Sequence, residues 1–274
     1  MKNPKVSVLL PVANEQLKYV KLSLGSIINQ TYRNLEIIVL IDRPDNKDVI
    51  EYVKAEQEKD SRIILHINPY PLGLTKTLNV GILMASGKYI ARMDADDISL
   101  PTRIESQIAF MEQNSDYGLC GTKAYFINEQ GKLIQDPKIS INNNIVTYEE
   151  IQKVILRFNP FVHSSVLIRA QVLKQIGGYN EKFETSQDYE LWLRLCKRYK
   201  CHILPKRLIL YRIRTRGISY SKMKTSLKYS LHARYLAITK YGYPKWGVIY
   251  LIWPAISYIV PVRIKQIILR RYLR

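Results

Sequence analysis

Asp94, Asp96 and Asp97 crowd three carboxylates into four positions, directly after Lys88-Tyr89-Ile90-Ala91-Arg92-Met93, an apolar run that reads as a strand. Charges this close repel one another and are tolerated at a strand end when they are solvated or share a cation. Alternate residues of an extended segment point the same way, so Asp94 and Asp96 can face one point. Hard oxygen ligands there suit Mg²⁺ or Mn²⁺, with phosphate oxygens completing the shell. A solvated acidic turn is the plain alternative. Asp42 and Asp45 stand in the loop that breaks another apolar run, Leu35–Ile41.

The elements that must position these acids alternate. Val6–Leu10 reads as a strand buried on both faces, ended by Pro11. Tyr19–Asn29 has helical spacing, Leu35–Ile41 is a second buried strand, Lys47–Lys59 a helix, Arg62–Ile67 a strand and Leu74–Ala85 a helix. Strand–helix alternation of this kind predicts a parallel sheet with crossover helices, and ligands of such sheets sit beyond the carboxyl ends of the strands. The loops Pro11–Glu15, Asp42–Asp45 and Asp94–Asp97 fall there. Beyond them, Pro101 opens a helix through Met111, and Tyr117–Asn128 with Lys132–Ile134 forms a hairpin. Thr147–Leu156 is a helix, Ser164–Ile168 a strand, Gln187–Tyr199 a helix and Cys201–Tyr211 a strand.

With 274 residues and 47% hydrophobic content the chain is globular, with no disordered composition. No secretory signal opens it, and Cys120, Cys196 and Cys201 lack metal-ligand spacing, so reduced thiols in a cytosolic protein are expected. The net charge of +19 is unevenly placed: 20 of the 42 Lys and Arg lie from Leu191 onward, where there is no Asp or Glu. A near-neutral body thus carries a basic last third, which implies an anionic partner. Lys222–Tyr241 is helical, basic and tyrosine-rich. Trp246–Val262 is uncharged, contains Pro254, and is flanked by Lys240 and Lys245 before and by Arg263, Lys265, Arg270, Arg271 and Arg274 after. Trp, Tyr and cations together suit a bilayer interface, a reading preferred to a core hairpin or a true span. The uncharged Trp/Tyr run suits lipid better than a nucleic-acid backbone, so no nucleic-acid partner is expected.

The ordered set of short stretches resembles the family 2 glycosyltransferases of the GT-A fold, and within them the bacterial enzymes of capsule, exopolysaccharide and O-antigen synthesis. The stretches are Val6 to Glu15, Ser26 to Tyr32, Leu35 to Val39, Gly73-Leu74, Leu78 to Ile82, Ala85 to Asp97, Pro101 to Gln107, His163 to Val166, Gly177 to Tyr179, Gln187 to Arg194 and Tyr211-Arg212. The resemblance implies an α/β GT-A fold, a Rossmann-like and mostly parallel sheet flanked by helices. It implies a domain over residues 1–220, with a nucleotide-sugar half (1–100) and an acceptor-side half (101–220). A basic, aromatic, membrane-associating helical extension follows over 221–274.

What the resemblance implies for the site is an inverting sugar transfer from a nucleotide-diphosphate donor, UDP-hexose or UDP-N-acetylhexosamine, with Mg²⁺ or Mn²⁺. The metal falls to Asp96 and Asp94. Donor contacts fall to Pro11, Ala13, Glu15, Asp42, Lys76, Asp94, Ala95 and Arg212, and the general base is Asp188. His163 and Trp192 line the sugar or acceptor side, unless they are only packing. The acceptor is a polyprenyl-diphosphate-linked sugar at an anionic membrane, the protein being cytoplasmic and peripherally attached to the inner face. Three positions depart from the family pattern: Ala13 where Tyr is frequent, Gln187 in place of Glu, and Arg214 where His is frequent. A nucleotidyltransferase is the rival enzyme, but Pro11–Glu15 lacks the glycines of a phosphate loop. A non-catalytic membrane- or nucleic-acid-binding protein is the other alternative.

Overall fold

The computed structural model describes residues 3–135, 145–214 and 223–259. Its first half is the expected alternation: β1 (Val6–Val12), α1 (Leu17–Ile28), β2 (Leu35–Ile41), α2 (Lys47–Lys59), β3 (Ile63–Ile67), α3 (Leu74–Met84) and β4 (Tyr89–Arg92). β1 lies parallel to both β2 and β4, and β2 parallel to β3. Both β1 and β2 are buried throughout, which is why their sequences are continuous apolar runs and not alternating ones. Odd and even positions serve opposite faces. Leu9, Ile38 and Leu40 join one core, whereas Val8, Leu10, Ile37 and Val39 join the other.

Pro11 does not end β1. The Val12 carbonyl accepts from Asp42 N on the β2 side and the Leu9 carbonyl accepts from Met93 N on the β4 side. Alternation therefore turns the Pro11 nitrogen toward β4, where pairing has already stopped at Leu9, so its missing N–H costs no ladder bond. Glu36, inside buried β2, is held by Ser7 Oγ at 2.6 Å, the Ser86 amide at 3.0 Å and Lys5 Nζ at 3.0 Å. Burial alone would raise its carboxyl, but these donors outweigh burial and bring it to about 2. The same knot needs Gly87, where a Cβ would lie 2.7 Å from the Ser7 nitrogen.

The second half supplies β5 (Ile98–Ser99), α4 (Arg103–Gln113), β6 (Tyr117–Ile127), β7 (Leu133–Ile134), α5 (Tyr148–Val154), β8 (Leu167–Arg169), α6 (Ala170–Gln175), α7 (Gln187–Arg198) and β9 (Lys200–Arg212). Among the described residues the sheet runs β3-β2-β1-β4-β8-β6-β9-β5, with β7 paired to β6. β8 is antiparallel to β4, so the sheet is mixed. The expected strand over Ser164–Ile168 is instead a 3₁₀ turn over His163–Ser165 followed by β8. The serine hydroxyls divert the backbone: Ser165 Oγ donates to the Val162 carbonyl at 2.8 Å, and Ser164 Oγ turns toward the acid loop. None of Cys120, Cys196 and Cys201 is in a disulfide, and all are buried.

The chain then forms α8 (Met223–Thr239) and α9 (Ile249–Ile259). α8 packs on α7. Ala233 and Ala237 are fully buried, Arg234 Nε donates to the Leu156 carbonyl at 2.8 Å, and Tyr243 Oη donates to the Leu193 carbonyl at 3.1 Å. α9 continues through Pro254 and rests on α8. It leaves Ile249, Ile252 and Ile256 exposed, beside Trp246, which is 61% exposed. Among the described residues no helix is long and apolar enough to cross a membrane. Lys222, the end of the uncharged run at 260–262, and the basic residues Arg263, Lys265, Arg270, Arg271 and Arg274 lie outside the described residues.

Candidate active site

The carboxyl ends of β1 and β2 open into a cavity of about 260 Å³ lined by Ala13, Asn14, Glu15, Arg43, Asp45 and Asn46. Ala13 N donates to Glu15 at 2.7 Å, closing the turn after Pro11. Burial raises the Glu15 carboxyl, and the charges of Asp96 and Asp94 raise it further against the backbone donors. Glu15 and the acid loop thus share one electrostatic neighbourhood. Arg43 crosses the mouth, pairing with Asp45 at 2.7 Å and donating to Asn14 Oδ1 at 3.3 Å.

Asp42 is buried and draws donors inward. Its Oδ1 accepts from Asn68 Nδ2 (2.9 Å), Leu72 N (2.8 Å) and Thr77 Oγ1 (2.8 Å), while Gly73 N is shared between Oδ2 (3.1 Å) and Oδ1 (3.2 Å). It therefore fixes the loop after β3 and the start of α3, where Gly73 holds φ +84°. Oδ2, with the lighter load, is the oxygen that can still face a ligand. Lys76, on α3, is exposed.

The acid loop is built around Arg92. This fully buried guanidinium pairs with Asp94, and the Asp94 backbone carbonyl accepts from Ser23 Oγ at 2.7 Å. Ser164 Oγ lies 2.6 Å from Asp94 Oδ2 and is also hydrogen-bonded to Asp97. A hydroxyl has one proton to give, so one of the two carboxyls must donate to it. Burial, with the charges of Asp94 and Asp96, pushes the Asp97 carboxyl well above the usual range. Asp97 is thus the carboxyl of the pair that holds a proton more readily. Asp97 Oδ1 in turn accepts from Arg212 N at 2.7 Å.

Arg212 is buried and acts as a clamp. Nε donates to the Asp96 carbonyl (2.8 Å), Nη1 to the Asn128 carbonyl (2.9 Å), and the guanidinium stacks 4.7 Å from the Tyr19 ring. Its Nη2 meets no acceptor among the described residues. Asp96, like Asp94, is partly exposed, and its Oδ2 lies 3.1 Å from Arg214 Nη1. Burial and Asp94 raise its carboxyl, while Arg214 opposes them. Ala95, between them, is buried.

Among the described residues no three His, Cys, Asp or Glu side chains gather around one point. A cation held by protein alone does not fit this loop. A cation held by Asp96 and by the phosphate oxygens of a ligand does fit, because Mg²⁺ commonly takes one or two carboxylates plus phosphates and waters.

On the opposite side, α7 begins after Ser186, a non-glycine residue at φ +56°. A side chain in this left-handed region costs of order 1–3 kcal/mol and is held by its surroundings. Ser186 Oγ donates to the Ser226 carbonyl of α8 at 3.1 Å. The next turn presents Asp188, whose Oδ2 accepts from Asn159 Nδ2 at 2.8 Å. Burial raises its carboxyl, opposed by the Tyr189 amide, Asn159 and Arg92. Arg92 thus acts on Asp94 and Asp188 together. His163 is hydrogen-bonded to Tyr179 Oη at 2.7 Å and is kept neutral, its proton affinity pushed well down by burial and then by Arg92. Trp192 is fully buried against Phe161 and His163, so it forms a floor and no open wall.

Sequence reasoning placed Asp94, Asp96, Asp188 and Glu15 in one neighbourhood but missed Arg92, Ser164 and Asn159. Arg92 did leave a signal: a cation inside an apolar strand needs a buried counter-charge. Ser164 and Asn159 left none, since their roles arise from chain segments about 30 and 70 residues away in sequence.

Solved structures share this architecture. S. aureus TarS residues 1–349, in a crystal structure with UDP-GlcNAc, superposes with a TM-score of 0.71 over 90% of this chain and 70% of that one, at 18% identity. The mannosyltransferase PcManGT of Pyrobaculum calidifontis, in complex with GDP-Man and Mn²⁺, does so with a TM-score of 0.66 over 98% of this chain and 80% of that one, at 14% identity. The fold is the GT-A-like one. The chain belongs to glycosyl transferase family 2, whose model matches residues 7–177. An uncharacterized glycosyltransferase of Methanocaldococcus jannaschii is 38% identical over 85% of this chain and 79% of its own length. The O-antigen biosynthesis glycosyltransferase WbnJ of Escherichia coli is 33% identical over 84% of this chain and 86% of its own length.

Proposed function

We propose that the protein transfers a hexose or N-acetylhexosamine from a UDP-sugar to a hydroxyl of a lipid-linked oligosaccharide, with inversion, during surface-polysaccharide synthesis. The observation that carries this reading is the buried Arg92, which pairs with Asp94 and whose charge is also felt at Asp188. It links the acid loop electrostatically to Asp188, a carboxylate whose proton affinity burial raises. The similarity to an O-antigen enzyme and to a protein solved with UDP-GlcNAc supports the substrate class.

In this reading the nucleobase enters the cavity at Ala13, Glu15 and Asn46, over Pro11, within reach of Asp42 Oδ2. Lys76 stands at the outer edge. Asp96 holds Mg²⁺ or Mn²⁺ with the diphosphate, and the metal supplies charge stabilisation for the leaving nucleotide. Asp94, with both oxygens engaged, orients the loop, and Ala95 keeps it narrow. Arg214 and the Arg212 Nη2 add positive charge beside the same oxygens. Asp188 accepts the proton of the acceptor hydroxyl as it attacks the anomeric carbon. Its raised proton affinity suits that task better than that of an ordinary Asp. His163 and Trp192 support the sugar from below. Residues 1–100 form the donor half, 101–220 the acceptor half, and 221–274 the part that meets an anionic membrane from the cytoplasmic side.

The test is nucleotide release from a panel of UDP-, GDP-, CMP- and dTDP-sugars, with Mn²⁺ and with lipid extract as acceptor. Release from one UDP-sugar, lost in Asp96→Ala and Asp188→Asn, is expected. Equal release by the variants overturns the assignment.

A further inference from the structure

Ser186 is the only non-glycine residue with a positive φ among the described residues, and it stands two positions before Asp188. It is also the residue from which α7 starts, since the Glu190 amide donates to its carbonyl at 3.1 Å. A serine in that place normally keeps an extended backbone and accepts from a first-turn amide of its own helix. Ser186 does neither. Its φ and ψ are +56° and 20°, its side chain makes no cap bond, and its Oγ donates to the Ser226 carbonyl of α8 at 3.1 Å. Beside it, the buried Thr185 Oγ1 meets no partner among the described residues. The segment thus forgoes a cap, a hydroxyl bond and a favourable backbone state at one point.

The effect is felt at Asp188. An ordinary serine cap would draw on the Tyr189 amide, three residues on. With the hydroxyl turned to α8, that amide is left to the Asp188 carboxylate, whose charged form it favours. Asn159 Nδ2 holds Oδ2 of the same carboxylate at 2.8 Å, so donors from two segments fix one side chain. The neighbours are fixed as well. Thr75 Oγ1 donates to the Phe183 carbonyl at 2.6 Å, and Tyr189 Oη donates to the Ile155 carbonyl at 2.6 Å. The Arg234 guanidinium of α8 lies 5.0 Å from the centre of the Tyr189 ring. Backbone strain maintained from several sides is characteristic of places where geometry serves function.

We propose that Ser186 is a positioning residue for Asp188: its left-handed backbone, held by the hydrogen bond to α8, leaves the first-turn amide of α7 to the carboxylate and aims it at the acceptor hydroxyl. The proposal rests on the transferase reading, in which Asp188 takes the proton of that hydroxyl. It adds a duty for α8, which braces the base through the Ser226 carbonyl.

The experiment compares nucleotide release, with lipid extract as acceptor, in the full-length wild type and in Ser186→Gly, Ser186→Asn and Asp188→Asn. Glycine accepts a positive φ freely. Ser186→Gly should therefore unfold near the wild-type temperature, yet lose about tenfold or more in kcat with the KM for the UDP-sugar unchanged. Asparagine tolerates the left-handed region and keeps a donor for the Ser226 carbonyl, so Ser186→Asn should recover most of that loss. A wild-type kcat in Ser186→Gly, with Asp188→Asn inactive, overturns the positioning role alone. So does a kcat that falls only together with the thermal midpoint or with a rise in KM. Release that survives Asp188→Asn overturns the transferase reading and this proposal with it. A second measurement needs no turnover and follows the Asp188 carboxyl by NMR in protein with labelled aspartate. Arg92, Tyr179, Tyr189 and Tyr211 are the titratable groups that act on it. Burial raises this carboxyl, so in Ser186→Gly, where it is freed toward solvent, it should titrate nearer the ordinary carboxylate range. An unmoved midpoint overturns the proposal.

Discussion

The donor end and the α8–α9 pair handle charge and apolar surface in opposite ways. At the donor end every acid has a named counterpart: Asp94 has Arg92, Asp96 has Arg214, Asp97 has Ser164 and the Arg212 amide, and Asp42 has four donors. On α9 Ile249, Ile252 and Ile256 face solvent, and α8 carries Lys224, Lys228 and Arg234 without an acid. Charge balanced from within makes a site that is formed before its ligand comes. Charge and apolar surface left unbalanced mark a face that needs a partner.

The strongest way to break this contrast is to remove one counterpart. Arg92→Met removes the buried cation and leaves partly exposed Asp94 with Ser164 as its partner, and should cost about 1–3 kcal/mol of stability in urea unfolding, with activity lost as well. A cost below 1 kcal/mol would mean the donor end is not balanced through Arg92. Asp188→Asn should lower kcat/KM by roughly 10²–10⁴-fold while UDP binding persists. The acid limb of the wild-type pH profile should sit above the ordinary carboxylate range, because burial raises this group, and should vanish in the variant. An unchanged profile would remove Asp188 from proton transfer.

Glu36 sharpens the contrast through pH. Its carboxyl is near 2 in the folded chain against an ordinary 4.5, so its contribution is fully present above pH 4.5 and lost as the pH falls toward 2. That contribution is at most about 3 kcal/mol. Glu36→Gln should flatten the acid side of a stability-against-pH curve, and an unaltered slope would contradict the geometry. The smallest effect belongs to the other region. Ile252→Ser on exposed α9 should change stability by no more than about 0.5 kcal/mol, yet reduce pelleting with anionic vesicles. A large stability loss would show that α9 is core.

How legible each region was follows from the same physics. β2 and α2 were readable to the residue, because burial on both faces and a solvated helix face each impose a simple pattern. Pro11 misled, since a proline is tolerated in a strand once its nitrogen faces an unpaired side, and pairing is not written locally. His163–Ser165 misled because hydroxyls bonding across the fold bend what would otherwise be strand. Asp94 and Asp96 stood out by type and spacing and Asp188 by its place in a family motif, whereas the hydrogen bonds of Ser164 to Asp94 and Asp97 belong to the folded arrangement alone.

Asp42 has one more consequence, in hydrogen exchange. Gly73 is exposed, so its amide would be expected to exchange at the rate of a free loop. Its N–H points instead to a buried carboxylate, as does that of Leu72. Both amides should therefore exchange as slowly as core positions. Gly73 N reaches both carboxylate oxygens, whereas Leu72 N reaches Oδ1 alone. A group engaging Asp42 Oδ2 would loosen the protection of Gly73 and leave that of Leu72 unchanged, so the difference between two neighbouring amides reports on that oxygen.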